Sequence, residues 1–256
     1  DYAVLDGSSN PGVHGCHVST TILGKYDDNS NSSAIQTEIA GHYDNVTLAQ
    51  SSYDPEYSMM GVAYNSTLHF ADYGLSFSGG EHELAIEDAK AKGAKVHSNS
   101  WGWSGDPTTT TVLNTSGDNN YAKFTNWWNG GGTSLTEAET TSYIDALNQF
   151  QETAVIVRAL SNTRTGKSTI FGGSSNQSDL SASLPTLFPE LSEAWIAVTN
   201  VLSLSDGSKI LNSSPCGETG VNCLAQDGYN ITAGAVRFPT APFDGSWYTS
   251  MNGTSM

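Results

Sequence analysis

Short apolar runs alternate along the chain with longer, helix-like stretches. The runs are bounded by polar turns and predict strands, while the stretches between them predict helices. Residues 81–92 illustrate the helix pattern, since they start acidic, end basic and are followed by Gly93. This alternation predicts an α/β domain with a mostly parallel central sheet flanked by helices. The predicted strands are residues 68–71, 95–100, 154–157, 194–198 and 201–203, and the predicted helices are 81–92 and 135–151.

Two polar segments interrupt this alternation. Residues 27–54 and 104–132 are rich in Asn, Ser, Thr, Gly and Asp, and each predicts an excursion over the surface. Neither has the length or apolar content of a separate domain, and the chain contains no convincing internal repeat. With 256 residues the chain can bury a sizeable core, so we expect one domain over residues 1–256.

The charge balance narrows the range of partners and locations. The chain has 10 Lys and Arg against 26 Asp and Glu, a formal net charge of −16, which argues against a nucleic-acid partner because phosphates are repelled. No apolar run approaches the ~18–20 residues of a membrane-spanning helix. The scarcity of Lys and the abundance of Asn, Ser, Thr and Gly are common in secreted proteins, so we expect a secreted or cell-surface location. No leader opens the chain, so we expect a signal peptide to be absent or already removed, and other residues to precede Asp1.

Three cysteines are present. Cys216 and Cys223 are close enough in sequence to close a small loop, and a disulfide there would stabilise the fold by ~2–3 kcal/mol. Free thiols are the main alternative. A zinc site has less support, because the spacing is too long and no His is adjacent. Cys16 has no partner if the disulfide forms.

Two segments could present chemistry to a cleft. His14 is followed by Gly15, which allows close backbone approach and lets the imidazole face a cleft. Ser100, Trp101 and Gly102 end a predicted strand whose edge could pair with an extended peptide. Taken alone, each segment would more often be a structural histidine or an ordinary turn.

Two further segments could stabilise and carry out a nucleophilic attack. Asn162 follows the predicted strand 154–157, at the edge of the sheet where α/β proteins bind ligands. An Asn amide there can donate to a developing oxyanion, which contributes ~3–4 kcal/mol in related chemistry. Ser255 would gain nearby N–H donors if it lies at a helix N-terminus. An ordinary loop Asn and a polar terminal Ser are the alternatives.

In this order, the four segments resemble the subtilases, the subtilisin-like serine proteases of peptidase family S8. Residues 14–18 (HGCHV) match the family's H-G-T-H-V, residues 100–102 (SWG) match its S-x-G strand, and residues 253–256 (GTSM) match its nucleophile motif. Residues 160–162 (LSN) match the A-G-N of its oxyanion strand more loosely. Residues 61–66 (GVAYNS) are similar to its G-V-A-P-N-A, and residues 184–228 resemble bacterial autotransporter subtilases.

The resemblance implies a three-layer subtilisin-like fold and a serine endopeptidase that cleaves proteins or peptides through an acyl-enzyme. His14 would be the general base, Ser255 the nucleophile and Asn162 an oxyanion donor. Residues 100–102 would align the substrate backbone. The chemistry requires no cofactor, and we predict no metal ligand for it. Subtilases often bind structural calcium, but no loop here identifies its ligands.

The match is incomplete in ways that bear on activity. In subtilases the Asp that orients the base precedes the His by some tens of residues, whereas Asp6 lies only eight residues before His14. We therefore expect Asp6 to belong to a loop and the triad Asp to lie upstream of residue 1. We also expect a domain truncated at both ends and of little activity by itself, because the family's helix after G-T-S-M is missing.

The substitution of Cys16 for the family's Thr is a further departure. The alternative function is thus a catalytically impaired subtilase homologue that binds peptides or forms a structural part of a surface protein. The esterase motif G-x-S-x-G and the metalloprotease motif H-E-x-x-H are both absent.

Overall fold

In the computed structural model the chain forms two compact units. One unit holds residues 76–229 and 253–255, and the other holds residues 1–75, 230–252 and 256. The structure describes residues 18, 21–22, 62–63, 66–69, 81–100, 119–129, 135–162, 178–229, 231–234, 248–251 and 253–254. The helices and strands whose bounds the structure describes are α1 Glu81–Ala91, β1 Val96–Asn99, α2 Asn120–Asn129, α3 Glu137–Gln151, β2 Val155–Ala159, α4 Leu184–Leu187, β3 Trp195–Ser203, β4 Lys209–Leu211, β5 Cys223–Asp227, β6 Ile231–Gly234 and β7 Tyr248–Met251. Short 3₁₀ helices lie at Leu180–Ala182, Pro189–Ser192 and Gly217–Asn222.

A mostly parallel sheet of five strands organises the first unit. β1, β2, β3 and β4 follow one another across the sheet, and β5 also pairs with β3. Among the described strands of this sheet, the β1–β2, β2–β3 and β3–β5 pairings are parallel and the β3–β4 pairing is antiparallel. The carboxyl ends of the parallel strands therefore meet at one edge of the sheet, as the sequence pattern predicts.

Helix α3 supplies much of the apolar core beside this sheet. It begins at the N-cap Thr136, whose hydroxyl accepts from the N–H of Glu139 while the Glu139 carboxylate accepts from the N–H of Thr136. This reciprocal capping satisfies two backbone donors that the helix itself cannot pair. Its buried face, including Ile144, Leu147 and Phe150, joins α1, α2 and β2 in one cluster. Burial of that face fixes the helix against the sheet.

The prediction of a surface excursion over residues 104–132 is wrong where the structure describes it. Residues 120–129 form α2, and Phe124 and Trp128 are buried in the core. The Trp128 ring lies 5.3 Å from that of Phe124 and 5.2 Å from that of Tyr143. Aromatic residues at helical spacing thus form a helix within a segment whose polar composition is typical of a loop.

The other predicted elements agree with the structure to different degrees. The predicted strands 194–198 and 201–203 belong to the single strand β3, except for Ala194, which precedes it. Leu68 and His69 lie outside any strand, contrary to prediction, because so short an apolar run does not specify a strand. Residues 70–71 and 27–54 lie outside the described residues. The Cys216–Cys223 disulfide is present, which excludes the free-thiol and zinc interpretations of that pair.

The second unit is described only in part. β6 and β7 pair antiparallel, with Ile231 opposite Met251. The N–H of Ala63 donates to the carbonyl of Ile22 at 2.7 Å. In the part of the chain that the structure describes, no helix is both long and apolar enough to cross a membrane.

Candidate active site

The carboxyl ends of β1 and β2 bring two of the predicted site residues to one edge of the sheet. Ser100 directly follows β1, and Asn162 follows β2 after two intervening residues. Asn99 is in register with Arg158, so the two strands end at nearly the same level. Ser100 is partly buried, whereas Asn162 is exposed and available to a ligand.

Asn162 is held against the nucleophile motif. Its Oδ1 accepts from the backbone N–H of Thr254 at 2.9 Å and from the Thr254 hydroxyl, whose Oγ1 lies 3.1 Å away. The same hydroxyl also contacts the carbonyl of Leu160. Thr254 is buried and precedes Ser255 in the chain. Two segments 92 residues apart in sequence are therefore joined one residue before the predicted nucleophile.

These contacts determine which way the Asn162 amide faces. The Thr254 N–H can only donate, so the atom facing it must be the amide oxygen. The amide nitrogen is thereby turned away from Thr254 and keeps its hydrogens for another acceptor. A Cβ at Gly253 would lie 3.0 Å from that nitrogen, which is tighter than ordinary contact, so the glycine allows the amide to approach the motif.

The backbones of Gly228 and Gly253 also lie close together, at the start of the nucleophile motif. The N–H of Gly253 donates to the carbonyl of Gly228 at 2.9 Å, and the N–H of Gly228 donates to Oδ1 of Asn200 at 2.9 Å. A Cβ at Gly228 would overlap the carbonyl oxygen of Gly253. Only glycine permits the two backbones to lie this close.

Buried polar side chains on β3 support the close contact between Gly228 and Gly253. Asn200 is 1% exposed, and its N–H donates to the hydroxyl of Ser213 at 2.8 Å. The hydroxyl of Thr199 donates to the carbonyl of Ser214 at 2.7 Å. Each of these buried groups is therefore hydrogen-bonded, which removes the cost of burying it.

The strand that leads to Ser100 contains a partly buried, neutral histidine, His97. Burial lowers the pKa of His97 to about 4, and the positive charge of Arg158 adds to this. His82 of α1 behaves in the same way, with its pKa lowered to about 4 by burial and then by Arg158. Nδ1 of His97 lies 3.3 Å from Nδ2 of Asn99, where an unprotonated ring nitrogen can accept a hydrogen bond. Both histidines support the fold rather than titrate near neutral pH.

Several predicted site residues lie outside the described residues. They are Asp6, His14, Trp101, Gly102 and Ser255. Within the described residues, no three His, Cys, Asp or Glu side chains are grouped so as to hold a metal ion. Sequence reasoning missed the support given by Thr254 and Gly228, although each belongs to a stretch that carries the resemblance.

Comparison with known proteins identifies the family. The family described as "Subtilase family" (Peptidase_S8) matches residues 6–256. The chain belongs to the subtilase family. Membership supports serine protease activity in general, and the predicted subtilisin-like α/β fold is confirmed. No curated protein matches the chain.

Two solved structures, of PatA and PatG, agree with the subtilase fold. The protease domain of PatA is 17% identical, with a TM-score of 0.51 over 99% of this chain and 62% of its own. The PatG macrocyclase in complex with peptide is 16% identical, with a TM-score of 0.51 over 96% of this chain and 49% of its own. The prenylagaramide maturation protease PagA is 18% identical, with a TM-score of 0.48 over 97% of this chain and 61% of its own. This subtilase chain spans less than two thirds of each.

Proposed function

We propose that the chain carries the catalytic residues of a serine endopeptidase, with His14 as base, Ser255 as nucleophile and Asn162 as oxyanion donor. The contact of Asn162 with Thr254 is the observation that carries the proposal. The contact holds the Asn162 amide against the residue before Ser255 and turns the amide nitrogen away from Thr254. Membership of the subtilase family supports the same assignment.

The proposed reaction is acyl transfer in two halves. His14 takes the proton from the Ser255 hydroxyl as the oxygen attacks the peptide carbonyl, and then gives it to the leaving amine. The acyl-enzyme remains, with Ser255 bonded to the carbonyl carbon. Water, activated by His14, then releases the acid and restores the serine.

Asn162 would act when negative charge develops on the carbonyl oxygen. Its Nδ2 would donate to that oxygen together with the N–H of Ser255. Because Oδ1 is already bound to Thr254, the amide needs no reorientation before it donates. Preorganised donors of this kind account for a large part of the rate enhancement in many enzymes.

Residues 100–102 would align the substrate. An extended peptide can pair with a strand edge through backbone hydrogen bonds, which positions the scissile bond with little dependence on sequence. Ser100 follows β1 at the same edge of the sheet as Asn162, which supports this role.

We also propose that the protein is secreted or displayed at the cell surface. The disulfide Cys216–Cys223 supports this location, because such bonds persist mainly in oxidising compartments. The predominance of acidic residues is compatible with it. Recovery of the protein only from the cytoplasm, with both thiols reduced, would contradict the proposal.

The proposed activity is tested with the full-length protein and an unfolded protein as substrate. We expect hydrolysis by the wild type, its loss in Ser255→Ala and His14→Ala, and a decrease in kcat of roughly 10²–10³ in Asn162→Ala. Hydrolysis that survives Ser255→Ala would overturn the nucleophile assignment. A folded wild type that binds but does not cleave peptides would favour the impaired homologue.

A further inference from the structure

A buried carboxylate lies beside the segment that presents Asn162. Asp179 is 0% exposed, and its Oδ2 accepts from the backbone N–H of Ser161 at 2.7 Å. Burying a carboxylate is costly unless strong hydrogen bonds replace its water. Neither sequence motif nor family resemblance points to this residue.

Ser161 connects Asp179 to the candidate active site. It lies between Leu160, whose carbonyl contacts the Thr254 hydroxyl, and Asn162. The Leu160 N–H still donates to Val198 of β3 at 3.0 Å. Beyond that point β2 has ended, and Asp179 provides the acceptor for the next N–H. The carbonyl of Ser161 accepts from the N–H of Ser214 at 2.9 Å, so the backbone of Ser161 is held through both its N–H and its carbonyl.

The residues on either side of Asp179 are hydrogen-bonded to other parts of the fold. Glu218 accepts from both the N–H and the hydroxyl of Ser178, at 3.0 and 2.9 Å. Glu218 belongs to the 3₁₀ helix Gly217–Asn222, which the disulfide between Cys216 and Cys223 spans. On the other side of Asp179, the carbonyl of Ala182 accepts from the indole N–H of Trp195 at 2.9 Å. The backbone that carries the carboxylate is therefore anchored both before and after Asp179.

We propose that Asp179 is a positioning residue that holds the Ser161 backbone and so sets the position of the Asn162 amide for catalysis. This inference rests on the proposed function, because it assigns Asp179 a role only through Asn162. Loss of the carboxylate removes one of the two backbone hydrogen bonds that hold Ser161, so the amide of the next residue can shift. A displacement of about 1 Å in a catalytic group can lower the rate ~10²-fold.

Three variants of the full-length protein test the inference. Asp179→Ala removes the acceptor, and Asp179→Asn keeps an acceptor oxygen of the same reach. Asp206→Ala is the matched control, because Asp206 also accepts from a backbone N–H, that of Ser208 at 2.9 Å, but is exposed on a surface turn. We expect Asp179→Ala to lower kcat roughly 10- to 100-fold with KM nearly unchanged. We expect Asp179→Asn to restore most of the loss and Asp206→Ala to have no effect on kcat.

A double-mutant cycle separates positioning from general destabilisation. If Asp179 acts through Asn162, Asp179→Ala lowers kcat by less than about threefold in the Asn162→Ala background. An equal loss in both backgrounds, or an unchanged kcat in a folded Asp179→Ala protein, would overturn the inference while leaving the proposed function intact. A wild type without hydrolytic activity would overturn both.

Amide hydrogen exchange of the wild type tests the bond between Asp179 and Ser161 without requiring a variant to fold. The hydrogen bond to Asp179 predicts that the Ser161 N–H of the wild type exchanges at least about 10²-fold more slowly than an unprotected loop amide, on the order expected for locally stable structure. Exchange at the loop rate would overturn the inference.

Discussion

Acid should destabilise the subtilase chain through His97. The histidine lies on β1 with its ring 5.4 Å from that of Phe150, and its pKa is lowered from 6.5 to about 4. Burial is the larger cause, and the charges of Arg158 on β2 and of His82 on α1 add to it. Protonation would place a new positive charge beside Arg158 and remove the ring nitrogen that accepts from Asn99.

The size of the effect follows from proton linkage. The unfolded chain takes up a proton near pH 6.5, whereas the folded chain resists it down to about pH 4. The contribution of His97 is therefore fully present above pH 6.5 and is lost as the pH falls towards 4. Each pKa unit corresponds to ~1.4 kcal/mol, so about 3 kcal/mol of the free energy of unfolding disappears across this window. The pKa of His82 is lowered to about 4 as well, and its charge also lowers the pKa of His97, so the two histidines titrate as a coupled pair.

The assay is denaturant unfolding at intervals between about pH 8 and pH 4. We expect the wild type to lose several kcal/mol below about pH 6.5 and His97→Phe to lose about 3 kcal/mol less over the same window. His82→Phe tests the second histidine in the same way. An identical pH dependence in His97→Phe and the wild type would refute the reasoning, since it would show that His97 titrates alike in both states.

Three further predictions concern Gly228, Thr254 and the disulfide. Gly228→Ala should lower the free energy of unfolding by roughly 1–3 kcal/mol and reduce hydrolysis, because the added methyl group would meet a facing backbone carbonyl. Gly220→Ala is the control: its methyl group would meet no atom within 4 Å, so it should match the wild type in both assays. Thr254→Val should lower kcat by about tenfold and Thr254→Ser much less, since only the latter keeps the hydroxyl; equal kcat values in the two variants would contradict this role. Replacing Cys216 and Cys223 by Ser should lower the free energy of unfolding by ~2–3 kcal/mol, and an unchanged denaturation midpoint would refute that value.

The sequence predicts the sheet and its flanking helices well where local signals are strong. Helix α3 has a capping box and an apolar face, and β2 is a run of β-branched residues, so both can be predicted from local pattern. Helix α2 escapes sequence-based prediction because polar residues dominate its segment, and its stability comes from burying Phe124 and Trp128 against distant parts of the chain. Tertiary burial of this kind overrides a loop-like composition.

The candidate site also contains residues that the sequence predicts and contacts that it does not. Asn162 could be predicted because the end of a parallel strand is a known place for ligand-binding groups. The contact of Asn162 with Thr254 spans 92 residues, and the contact of Asp179 with Ser161 spans 18. Contacts of this kind depend on how the chain folds back on itself. Local sequence pattern carries no information about them.

Covalent labelling of the nucleophile tests the proposed activity most directly. A fluorophosphonate reacts with a serine only where a base and an oxyanion donor activate it. In the full-length protein, peptide mapping by mass spectrometry should find the adduct on Ser255, with labelling slowed in Asn162→Ala and abolished in Ser255→Ala and His14→Ala. Labelling at another serine, or none at all in folded wild-type protein, would contradict the assignment of Ser255 as the nucleophile of an active serine protease.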